Sequence, residues 1–101
     1  MPKLYEYFGL VVFFYTNEHE PIHVHGEFQN GYARADIYLK EGKIIRIVFS
    51  NVNRKRPLLG NKMKDFRTLV NARADDIVRR WVEYFVFKKH NKPEIITRKI
   101  K

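Results

Sequence analysis

The chain of 101 residues predicts an α+β fold: a four-stranded antiparallel meander sheet packed by one short and one long C-terminal helix. Three observations carry this expectation. Up to residue 49, runs of β-branched and aromatic residues alternate with short turn signals. Asn30-Gly31 is a strong hairpin dipeptide between two such runs. From residue 62 the apolar positions recur at helical spacing, and Asn91-Lys92-Pro93 ends the pattern.

Residues 8–16 are apolar on both faces and read as strand one. A turn at 17–20 leads to strand two, 22–29, and the short loop makes the pair an antiparallel hairpin. Strand three, 32–39, alternates cleanly. Ala33, Ala35, Ile37 and Leu39 face one way, and Tyr32, Arg34, Asp36 and Tyr38 face the other. The small Ala33 and Ala35 imply close approach by a bulky element. After a Glu41-Gly42 turn, strand four covers 43–49, with Ile45, Ile47 and Phe49 opposite Ile44, Arg46 and Val48. Residues 50–61 are a linker. The short helix covers 62–70, capped by Asn61, and the long helix 72–89, capped by Asn71. Trp81 is expected to anchor the core. Residues 94–101 form either an edge strand or a mobile tail, and the whole of 1–101 is one domain.

The stretch from Asn17 to Phe28 carries His19, His23 and His25, three of the four histidines. Pro21 pushes the chain into an extended course, so Ile22, Val24, Gly26 and Phe28 share a core face and His23, His25 and Glu27 share the other. Two imidazoles roughly 7 Å apart on one strand face can lean toward one divalent cation. His23 and His25 are thus candidate metal ligands, with a third from Glu18, His19 or Asp36. The same residues, with His19, are the candidate catalytic groups for metal-dependent or histidine-based hydrolysis, including a metal-free nuclease. The plainer alternative is a pair of half-buried, hydrogen-bonded histidines. No cofactor is established by the sequence.

Phe8-Gly9-Leu10, followed by residues 15–25 with their Asn-Glu-His turn and Pro-Ile-His-Val-His, resembles the opening of a small bacterial family, domain of unknown function 4160. Arg79-Arg80-Trp81 resembles that family's Trp-bearing helix. The resemblance implies a small α+β domain with no settled reaction, and a kinship with gene-pair proteins of the toxin–antitoxin kind.

The net charge is +9, from 20 Lys and Arg against 11 Asp and Glu. Such a balance suits nucleic acid or an acidic protein partner. Arg54, Lys55 and Arg56, with Arg79 and Arg80, are the candidate contacts for either. Without cysteine, disulfides and thiolate metal sites are excluded. The longest apolar run, residues 10–15, is far too short to span a bilayer, and the N-terminus lacks a signal-peptide pattern, so a cytoplasmic protein with no membrane partner is expected. The long helix is too widely apolar for one stripe. Val82, Val86 and Phe87 therefore form a candidate partner patch, for self-association or a small acidic protein. Taken together, the residues point to an interaction module, with hydrolysis at His23 and His25 as the alternative.

Overall fold

Three two-residue turns build most of the sheet. In the computed structural model, which describes residues 2–14, 22–89 and 91–100, all three place both central residues at positive φ. They are Phe8-Gly9 (48° and 89°), Gln29-Asn30 (47° and 66°) and Glu41-Gly42 (53° and 79°). This geometry matches the right-handed twist of the strands it joins. The turns connect β1 (Lys3–Tyr7) to β2 (Leu10–Phe14), β3 (Ile22–Phe28) to β4 (Gly31–Lys40), and β4 to β5 (Lys43–Asn51). The short β6 (Arg56–Pro57) runs parallel to the start of β4, and β7 (Glu94–Ile96) runs parallel to β1. The sheet order is β5-β4-β3-β2-β1-β7, with β6 beside β4.

The sheet thus has seven strands in a mixed arrangement, and the four-stranded antiparallel meander is corrected. The single strand expected at 8–16 is broken at its start, because Phe8-Gly9 turns the chain back on β1. Phenylalanine gives no turn signal, so only Gly9 marked the site. The Asn30-Gly31 hairpin turns one residue earlier, at Gln29-Asn30. Gly31 is already in β4, where an added Cβ would lie 2.9 Å from the Pro57 carbonyl oxygen. In β5 a register shift makes Ile45 the extra residue, so Ile44 joins the core side and Ile45 is left exposed, opposite to simple alternation.

The two expected helices are one. Helix α1 (Gly60–Trp81) runs through 71 and 72 and passes directly into a π-helical segment, Val82–Val86. Its buried residues Phe66, Leu69, Val70, Ala74 and Ile77 form a stripe that crosses the expected break. Burying each large apolar side chain contributes roughly 1.5–3 kcal/mol. Asparagine inside a helix costs well under about 1 kcal/mol, and Asn71 is exposed, so the stripe prevails. The expected break survives only as a non-helical backbone at Arg73. The residue before the helix is Leu59, with no side-chain cap, rather than Asn61. The helical run ends at Val86 rather than 89; beyond it Lys88 turns to φ 57° and the Lys89 N–H donates to the Glu83 carbonyl.

The helix lies on one face of the sheet. There it covers Leu4, Tyr5, Val12, Phe14, Ile22, Val24, Ala33, Ala35 and Ile37. Phe66 is the knob of this contact. It sits over Gly26, where a Cβ would come within 2.6 Å of the ring, and meets Phe49 edge-on at 5.8 Å between centroids. Gly26 pairs with Ala33, and Ala35 follows on the same face of β4, so three small residues make the hollow that admits the ring. Farther along, Phe85 packs on Phe14 and Trp81.

Candidate interaction face of the sheet

Because α1 covers only one face, the other carries the alternate residues of β3, β4 and β5. Register places His25 opposite Arg34, His23 opposite Asp36, and Tyr38 opposite Arg46. The alternation that buries Ile22 and Val24 thereby collects the polar side chains opposite the helix.

At the centre of this face Arg34 Nε donates to Asp36 Oδ1 at 2.6 Å. His23 Nδ1 lies 2.7 Å from the same oxygen and 2.9 Å from Arg34 Nη2. When Nδ1 carries a proton the ring donates to Asp36; when it does not, it can accept from Arg34. Burial alone would raise the Asp36 pKa, but the hydrogen bonds from Arg34 and His23 more than offset that and hold the carboxyl below its usual value. His25 is only 5% exposed and stacks on Phe13 at 5.7 Å. Its pKa falls to about 4, first through burial and then through the nearby Arg34 and His23.

Two tyrosines flank this centre, each beneath a cation. The Arg46 guanidinium lies 4.6 Å from the Tyr38 ring centroid, and Lys55 Nζ lies 5.0 Å from that of Tyr32. The Tyr32 hydroxyl donates to Glu27 Oε2 at 2.9 Å. Tyr32, Arg34, Asp36 and Tyr38 therefore form one outward row on β4, about 20 Å long at the usual strand rise.

The structure sorts the sequence candidates. His23 and Asp36 meet, and His25 lies beside them but is buried. Glu18 and His19 lie outside the described residues. Among the described residues no three of His, Asp and Glu are placed to hold a metal ion. The Arg34 guanidinium already sits on the Asp36 carboxylate, and its charge opposes a second cation there.

Arg54, Lys55 and Arg56 are exposed at the edge of the aromatic row. Arg79 and Arg80 lie elsewhere, near the far end of α1, whose 22 residues span about 33 Å. They are held by acids. Arg79 pairs with Asp76 and Glu83, and Arg80 with Asp76 and Glu94. Val82 is half-buried, whereas Val86 and Phe87 are 56% and 63% exposed. Arg34, Tyr38 and Arg46 are site residues that sequence reading did not single out. Period-two alternation already placed Arg34 and Tyr38 beside Asp36, but the pairing with Arg46 needs the β4–β5 register.

The family model of the domain of unknown function DUF4160 matches residues 9–82. The chain belongs to this family. The span matched to DUF4160 runs from the first turn to the end of α1 and includes the whole β4 row, while β1 and β7 lie outside it. No curated protein and no solved structure matches the chain. No helix among the described residues is long and apolar enough to cross a membrane.

Proposed function

We propose that this DUF4160 domain is an interaction module that binds single-stranded nucleic acid across the helix-free face of its sheet. The supporting observation is the β4 row, in which Tyr32 and Tyr38 bracket Arg34 and lie beneath Lys55 and Arg46. Aromatic rings and guanidinium planes both stack on bases without regard to sequence, so a base can add to the Arg46–Tyr38 pair or displace the cation from its ring, and the cations meet the phosphates. Asp36 does not oppose this, because Arg34 neutralises it. The net charge of +9 supplies the long-range attraction. The test is fluorescence anisotropy with labelled single-stranded RNA and DNA. Tyr38→Ala and Arg46→Ala should each weaken binding by roughly fivefold to a hundredfold, the usual worth of a stacked base. Wild-type protein that binds no strand at low salt would sink the proposal.

A second reading rests on the exposure of Val86 and Phe87. In it, the end of the helix receives a second copy or a small acidic protein, as in a toxin–antitoxin-like pair. Light scattering at rising concentration, comparing wild type with Phe87→Asp, tests it; a monomer throughout removes self-association. A hydrolytic role for His23 draws on its contact with Asp36, which can orient the ring as a general base. Labelled strands left intact after prolonged incubation would dismiss it.

A further inference from the structure

Between the β3–β4 turn, β6 and the start of α1 lies a cleft of about 320 Å³. Its walls include the apolar Phe28, Pro57 and Leu59, with Gln29, Arg56 and Lys62 at polar positions, and among the described residues no acidic side chain lines it. Leu59 is 74% exposed, with no apolar cover of its own. Lys62 is fixed on the wall. Its Nζ donates to the Phe8 carbonyl at 2.7 Å and stands 4.3 Å from the Phe28 ring centroid, which leaves two N–H donors unused by that bond.

The cleft lies across β6 from the end of the aromatic row. Gly31 pairs with Arg56 and Tyr32 with Pro57, so β6 is shared by both surfaces. Lys55 reaches the Tyr32 ring on one side of β6, while Arg56 and Pro57 line the cleft. Gly31 permits this contact, since a side chain there would strike the Pro57 carbonyl.

We infer that the cleft takes one nucleotide of a strand crossing the sheet, its base against Pro57 and Leu59 and its phosphate between Arg56 and Lys62. This rests on the nucleic-acid reading and adds a defined end to it. Charge complementarity favours an anionic ligand. The stacking row just across β6 favours a nucleotide over a carboxylate on a peptide.

The test compares Leu59→Glu and Arg56→Glu with Ile95→Glu, which adds a negative charge at an exposed position on β7. All three positions are exposed, so folding should survive. With labelled strands of about eight nucleotides, the two cleft variants should lose roughly tenfold in affinity, and Ile95→Glu much less. Shortening the strand stepwise should locate the loss. Wild type should show one more affinity-gaining nucleotide than Leu59→Glu. Strands that bind wild type while Leu59→Glu weakens them no more than Ile95→Glu would overturn the cleft and leave the sheet reading standing. Absence of strand binding in wild type would overturn both. A hexaglutamate peptide that displaces the strand from wild type but not from Leu59→Glu would assign the cleft to acidic peptides and overturn the inference.

Discussion

His25 is buried against Phe13, and that burial, with Arg34 and His23 close by, lowers its pKa from 6.5 to about 4. The folded ring is therefore neutral where the unfolded ring is charged. Above pH 6.5 the difference costs nothing. As pH falls from 6.5 to about 4 the unfolded chain binds a proton that folded His25 does not, so stability drops, by roughly 3 kcal/mol in total. His25→Phe should keep the stacked contact and remove this slope. Urea unfolding at pH 7 and pH 4.5 checks it: an equal loss in both proteins would reject the assignment. Asp36 acts in the opposite sense. Its depressed pKa adds stability above the ordinary carboxylate value, and that share is lost as pH falls through the folded value. Asp36→Asn should therefore destabilise at pH 7 and lose that effect at strongly acidic pH.

At the scale of elements, the turns and the small-residue hollow make separate predictions. Glu41 is exposed and sits at φ 53°, where a residue with a Cβ is disfavoured, while Asn is among the best tolerated. Glu41→Asn should raise stability by a few tenths to about 1 kcal/mol, read as a higher urea midpoint at unchanged slope. Gly26→Ala should do the reverse. The new Cβ meets the Phe66 ring at 2.6 Å, and overpacking of this kind costs about 1–3 kcal/mol. Phe66→Leu in the same chain should recover part of what Gly26→Ala loses. Strictly additive losses would mean that Phe66 is not what excludes the methyl group.

For the whole molecule, the position of the cations matters more than their number. Arg54, Lys55, Arg56 and Lys62 gather near the β3–β4 turn, whereas Arg79 and Arg80 close a network with Asp76, Glu83 and Glu94 at the other end of α1. Asp76 also accepts from the buried Tyr5 hydroxyl, whose pKa is raised by burial and by that carboxylate. Asp76→Ala would leave this hydroxyl and the Arg80 Nε–H without their acceptor, although Arg80 keeps the Lys92 carbonyl and Glu94, a loss of about 1–3 kcal/mol in chemical unfolding. Arg79→Ala should leave strand affinity unchanged, while Arg46→Ala weakens it. If about three phosphates are contacted, the logarithm of affinity should fall with that of salt at a slope near −2. A salt-independent affinity would contradict an electrostatic surface of this kind.

The sequence alone determined what depends on neighbours a few residues apart. Strict alternation in β3 and β4 put Asp36 and Arg34 in one row, Ala33 and Ala35 marked the face where something bulky arrives, and the motif around His23 carried the family resemblance. Only tertiary structure decided what rests on distant partners. Phe8 turns the chain because β1 finds an edge on β2 and then receives β7. Asn71 stays helical because the buried stripe on either side of it meets the same sheet. Arg79 and Arg80 face acids brought together by the helix turn and by β7, so their charge is spent within the fold. Local preferences are worth tenths of a kcal/mol per residue and long-range burial is worth several, so where the two conflicted the core settled the outcome.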